Sequence, residues 1–284
     1  MSKPELAMWA TEGTGRAYKH PFRQTPDGKP LTSPSITTVL KYENKENLIQ
    51  WAADKSIEWA VNNWHLLGSR SNEDAMKAGR YRWRGVRDER AEVGTGIHET
   101  VEAEHKGTWD FPDLDEEQKQ IMEQWRKFNQ RYTIKPLLTE FTVWNFSEDY
   151  AGTGDGLWEI TENETGKSWV ALIDLKTSKG VYGGQWAQIA ALKNGEVLMH
   201  KAIPDAVPNR KGEWPEGTWE ERPMPDADSF AVVHLRADKA ELIFGEDLDL
   251  RFEQFKAYRT IWGVENELKE REKKREVASY GDFA

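Results

Sequence analysis

The chain has 284 residues, is 38 % apolar and 31 % charged, and carries a formal net charge of −10. No apolar run approaches the ~20 residues of a membrane helix, the start "MSKPELAMWATEG" lacks the apolar stretch of a secretory signal, and with no cysteine disulfides, thiolate zinc sites and iron–sulfur clusters are excluded. A cytoplasmic setting is expected, any metal must be held by oxygen and imidazole, and the acidic balance argues against a broad nucleic-acid-coating surface while allowing a local basic groove.

In chain order, the first ~30 residues mix Gly, Pro and charge without period, which predicts loops and a short hairpin. "SPSITTVL" (33–40) opens a helical region. Residues 46–64 space their apolar positions as an amphipathic helix does. Residues 72–107 read as helix, glycine-containing break, helix. Residues 113–132 form a clearer helix, with Asp113 or Asp115 as N-cap and acids in the first turn. From 137 the period changes to that of strands at 137–146, 150–160 and 168–176, joined by turn-forming Ser-Glu-Asp and Asn-Glu-Thr-Gly. "GGQWAQIAALKNGEVLM" reads as a helix that Gly195 can end early. The proline-rich 204–228 is expected to be a long loop or insertion, 229–244 a strand pair and 247–276 a closing helix. Most of the 14 tryptophans are expected in the core.

This order predicts an α/β fold with a central mixed sheet flanked by helices and an N-terminal helical lobe. The expected divisions are an extension at 1–32, a helical lobe at 33–136, a core at 137–246 with its insertion at 204–228, and a C-terminal helix and tail at 247–284.

The chemistry gathers at strand ends. In "ALIDLKTSKG", Asp174 and Lys176 point the same way from a strand while Leu175 points into the core, leaving its backbone carbonyl as a possible further oxygen ligand. Glu140 lies in the first strand, and Asp155 lies in "GTGDG". Gly152, Gly154 and Gly156 remove side chains near that carboxylate, so another backbone or a ligand can approach. Taken singly, each of these is an ordinary surface or turn residue. Together, carboxylates converging with a lysine point to a hard divalent cation, Mg²⁺ or Mn²⁺. Phosphodiester hydrolysis needs this set: a cation to offset phosphoryl charge and activate water, and a lysine to orient that water and stabilise developing charge.

With these pieces in order, the sequence resembles the RecB-like branch of the PD-(D/E)xK nucleases, in particular phage-encoded exonucleases related to the CRISPR-adaptation nucleases. "GTGIHETVE" (94–102) is similar to the family's first motif, which implies His98 as a metal ligand. "YAGTGDGL" and "LIDLKTSKG" are similar to the second and third, implying Asp155 and Asp174 as ligands and Lys176 as the catalytic lysine. "QIAAL" is similar to a Gln-x-x-x-Tyr helix that brings Gln188 near the active site and DNA, although Leu192 stands at the tyrosine position. The likeness covers about 33–244. It implies a metal-dependent deoxyribonuclease, most simply an exonuclease on DNA ends in phage recombination or replication, with DNA and a single-strand annealing protein as partners. The iron–sulfur subgroup is excluded by the absence of cysteine.

The residues themselves support His98: it follows a Gly-Thr-Gly that can start a helix, and Glu102 lies one turn on along the same face. His105 and the histidines at 20, 65, 200 and 234 lack such context and are read as surface residues. "GRYRWRGVRDER" places Arg80, Arg82, Arg84, Arg87 and Arg90 among Tyr81 and Trp83, suited to phosphates and unpaired bases or, equally, to a charged helix paired with glutamates. Lys179 and Lys193 are lesser candidates. A structure-specific endonuclease with the same site, an inactive nucleic-acid-binding protein of the same fold, and a tryptophan-based carbohydrate-binding module are the competing functions. Only the nucleases require a cation at Asp155 and Asp174.

Overall fold

The computed structural model describes residues 5–9, 15–43, 46–68, 71–108, 111–202 and 217–281. Its first strands, β1 (Ala7–Trp9), β2 (Arg16–Gln24) and β3 (Pro30–Pro34), form a three-stranded antiparallel sheet, where loops and a hairpin were expected. Tyr18 seals this sheet onto the body, its hydroxyl 2.8 Å from Thr153 Oγ1 and its ring beside Trp144.

Helices follow: α1 (Ile36–Val39), α2 (Glu46–Asn62), α3 (Trp64–Leu67), α4 (Asn72–Arg80), α5 (Arg82–Lys106) and α6 (Glu116–Arg131). The break between α4 and α5 falls at Tyr81 (φ −118, ψ 15). The Gly-Thr-Gly before His98 therefore starts no helix; α5 runs through it and ends on the left-handed Gly107 (φ 64). Those glycines serve close packing. A Cβ on Gly96 would lie 2.3 Å from Gln118 Nε2. Gln118 in turn completes a capping box with Asp115 at the start of α6. Ile121, Met122, Trp125 and Phe128, spaced along one face of α6, are buried.

The central sheet is mixed, in the order β10-β9-β6-β5-β4-β7-β8. It comprises β4 (Tyr132–Asn145), β5 (Tyr150–Glu162), β6 (Ser168–Lys176), β7 (Val197–Ala202), β8 (Thr218–Pro223), β9 (Ser229–Leu235) and β10 (Ala240–Phe244). β6 runs parallel to β9, and the other described pairings within this sheet are antiparallel. α7 (Gly183–Lys193) and α8 (Leu248–Gly281) complete the fold. The fold is thus α/β, as the element order predicts. The helix of 183–199 does end early, at Lys193 before Gly195, and Val197 to Met199 enter β7, where Leu198 and Met199 gain burial against β4. Part of the expected 204–228 loop is the edge strand β8, paired with β7; residues 203–216 lie outside the described residues.

Strand alternation divides the core. Leu172 and Val232 pack with α1, α7 and α8, while Ala171, Ile173, Leu175, Ala231 and Val233 pack with α5 and α6. β6 and β9 are buried on both faces, which explains their nearly continuous apolar runs. Trp125, Trp144 and Trp158 are fully buried, whereas Trp64 is 77 % exposed.

The glycine cluster of β5 is a packing device rather than an opening. A Cβ on Gly152, Gly154 or Gly156 would meet Ile36, Phe141 or the Trp158 indole at 2.3, 2.7 and 2.0 Å, so the protein's own side chains take the space expected for a ligand. Since the Trp158 ring is fully enclosed, Gly156→Ala is expected to cost about 1–3 kcal/mol from overpacking, despite the lower chain entropy of alanine. Urea unfolding checks this, and an unchanged or higher stability would contradict it.

Candidate metal centre

Ile97 and Val101 of α5 are buried against Ile121, Trp125 and Ile173, and this docking turns His98 towards β5. His98 Nδ1 lies 3.6 Å from Asp155 Oδ1, with both side chains nearly enclosed. The other Asp155 oxygen accepts the Leu175 backbone N–H at 2.6 Å, tying β5 to β6 at the centre.

Glu140 arrives by an unusual backbone. Its φ is +49, a left-handed conformation that costs a non-glycine residue roughly 1–3 kcal/mol. The pairings Thr139↔Gly156 and Phe141↔Gly154 bracket Glu140 opposite Asp155. Ligand atoms of His98, Glu140 and Asp155 all lie within 4.8 Å of one another, so this buried group can hold a metal ion.

Asp174 and Lys176 stand beside it. Lys176 Nζ donates to Asp174 Oδ1 at 2.6 Å; Asp174 is 1 % exposed. Asp174 Oδ2 is buried with no hydrogen-bond partner, a costly state for a carboxylate oxygen. An oxygen- and imidazole-bound cation fits that orphaned atom and this donor set.

The electrostatics state the same need. Burial, then the charges of Asp155 and Glu102, push Glu140 up to about 7. Burial also raises Asp174, to about 6, against the opposing pull of Lys176. Burial acts upward on Asp155 too, but His98 and Lys176 outweigh it and bring it down to about 2. Burial works against the charged forms of His98 and Lys176, yet the neighbouring carboxylates raise both. Three carboxylates, of Glu140, Asp155 and Asp174, thus face one histidine and one lysine.

The structure brings together His98, Glu140 and Asp155, with Asp174 and Lys176 adjacent. The compact cluster contains Glu140, read from sequence only as a catalytic candidate, whereas Asp174, read as a ligand, gives one oxygen to Lys176. Leu175 is buried on the α5 side, and its amide rather than its carbonyl makes the observed link to Asp155. No described hydrogen bond joins Gln188 to the centre; it lies half-buried on α7. Leu192 is fully buried and packs where a Gly154 side chain would lie. Gln185 instead bonds Ser178, just past Lys176, at 3.2 Å. Arg80, Arg82, Arg84, Arg87 and Lys179 are exposed, and Arg90 is paired with Glu117.

Three histidines read as surface residues are not. His20 and His234 are 1 % and 4 % exposed; His20 meets Glu221 at 3.2 Å, and His234 Nε2 donates to Ser178 O at 2.7 Å. His105 packs its ring against Trp125 and Trp158 and is pushed down to about 4 by burial. With Glu102 it lines a cavity of about 10 Å³ that also touches His98, Glu140 and Asp155, room for about one water. The signal was available: residues 98, 102 and 105 recur at helical spacing along one face of α5.

No protein-family model matches the chain, and no curated protein sequence matches it.

Glu140 titrates near 4.5 when unexposed to these neighbours and at about 7 in the fold. The folded state therefore holds the extra proton between those values, and this group's contribution to stability falls as pH rises through the window. Without metal, Glu140→Gln is expected to raise stability at pH 8 by roughly 2–4 kcal/mol and to change it little at pH 4. Urea unfolding in EDTA measures both, and a less stable variant at pH 8 would refute the assignment.

Proposed function

We propose that the protein is a metal-dependent deoxyribonuclease, with Mg²⁺ or Mn²⁺ at the centre, acting on DNA ends. The observation that carries this reading is the convergence of His98, Glu140 and Asp155 beside the buried Asp174–Lys176 pair. Three donors for a hard cation and a lysine held by a carboxylate are the groups that phosphodiester hydrolysis requires. Action on ends, as an exonuclease, and a role in phage recombination or replication rest on the sequence resemblance.

A divalent cation at this centre supplies positive charge to phosphoryl oxygens and acidifies water. His98, Glu140 and Asp155 are the residues that would hold it, and Asp174 Oδ2, without a partner in the protein, would be a further oxygen for it. Asp174 also fixes the Lys176 ammonium, which orients the attacking water and offsets charge developing on the phosphate. The Leu175 amide holds the Asp155 carboxylate in one orientation. His234 and Arg236 pin the backbone of Ser178 and Lys179, steadying the segment that follows Lys176.

Incubation of linear and closed-circular DNA, single- and double-stranded, with Mg²⁺ or Mn²⁺ tests the reading. Linear DNA is expected to be degraded and closed circles spared. Lys176→Gln is expected to lower the rate by about 10²–10³-fold while keeping the metal-induced rise in melting temperature. Asp155→Asn is expected to lose both. Cleavage of closed circles would replace the exonuclease with an endonuclease, and no cleavage by the unmodified protein would end the proposal.

A further inference from the structure

α5 joins two features that the proposed chemistry uses unequally. Its buried half carries His98. Its first turns carry Trp83, Arg84 and Arg87, preceded by Tyr81 at the helix break. Arg87 lies three turns, about 16 Å, before His98 and Arg84 about 21 Å before it, both close to the same side of the helix. Burial along that side passes from exposed at residues 87 and 91 through partly buried at 94 to buried at 98, as expected of a helix overhanging the sheet at its start.

The patch interleaves cations and rings. The Arg84 guanidinium lies 4.2 Å from the Tyr81 ring centroid and 5.6 Å from that of Trp83; Arg87 lies 5.4 Å from Trp83, and Arg82 4.7 Å from Trp59. Arg84 has no carboxylate partner among the described residues, and the Arg87–Asp88 pair is exposed, so it is weakly held. Tyr81 is 51 % exposed. Along its length a duplex offers such a surface phosphates and groove edges but no base faces. An unpaired strand offers phosphates to the guanidiniums and base faces to the rings. On a chain of net charge −10, a local cationic and aromatic patch is better suited to this second kind of contact than to broad electrostatic coating.

We propose that Tyr81, Trp83, Arg84 and Arg87 form a platform for an unpaired DNA strand, which α5 leads towards the centre at His98. The inference rests on the nuclease reading for its choice of DNA and names the strand state that the site receives.

Fluorescence anisotropy of labelled oligonucleotides of about 20 nucleotides, several times the span of one stacking site, tests it with the full chain in EDTA, where no cleavage occurs. The single strand is expected to bind at least about tenfold tighter than the matching duplex. Tyr81→Ala should weaken single-strand binding about tenfold and Tyr81→Phe should restore it. Arg84→Gln with Arg87→Gln should flatten the salt dependence. Equal affinity for duplex and single strand, or no effect of Tyr81→Ala, would overturn the platform. If this binding pattern holds but no DNA is cleaved with metal, the platform stands and the nuclease reading falls; cleavage without such a pattern removes the platform alone.

Discussion

The pairing of β5 with β6 sets the geometry of the centre. Gly156 opposite Ile173 and Leu157 opposite Leu172 bring Asp155 to the level of Asp174, and the Leu175 amide locks the arrangement. A slip of one residue would send every side chain of β6 to the other face, putting Asp174 and Lys176 where Leu175 now lies among Ile97, Trp125 and Val233. The cost of burying Asp174 and Lys176 among those apolar side chains opposes that slip. The hydrophobic pattern that builds the core is therefore also the device that aligns the charges.

Those charges are not arranged for the stability of the metal-free fold. Glu140 sits on a left-handed backbone and is driven towards its neutral form; Asp174 keeps a buried oxygen without a partner. A fold built only to persist would replace them with apolar groups. The surrounding structure holds them in place: β5 and β6 are enclosed on both faces, α5 and α6 interlock, and three buried tryptophans fill the interior. Local strain concentrated in a rigid frame is the usual signature of a site kept for chemistry.

Much of this was legible in the sequence, for identifiable reasons. β6 is a short apolar run that ends in Asp-Leu-Lys, so the period of a strand places Asp174 and Lys176 on one side without a structure. The capping box of α6 follows from Asp115 and Gln118. Glu140 could be named but not placed, because nothing local announces its positive φ; the sheet around it imposes that. The glycines of β5 leave gaps that the sequence does not assign to a neighbour: Ile36 and Phe141 arrive from other elements, and Trp158, two residues along the same strand, turns back over Gly156. His105 was missed although its spacing from His98 was visible, since burial depends on Trp125 and Trp158 arriving from other elements. β8 was hidden by the prolines around it and its lack of apolar period, as befits an edge strand facing solvent.

Gln118 does two jobs with one side chain. Its amide oxygen closes the capping box of α6, and its amide nitrogen occupies the notch that Gly96 leaves in α5, within 3.3 Å of the Glu92 and Val93 carbonyls. The two positions therefore share one volume. A side chain at 96 would have to displace the Gln118 amide, and with it the half of the capping box that Gln118 closes, while the bond from Gln118 N–H to Asp115 remains. The capping of α6 and the close approach of α5, the helix that presents His98, are thus mechanically linked through one side chain.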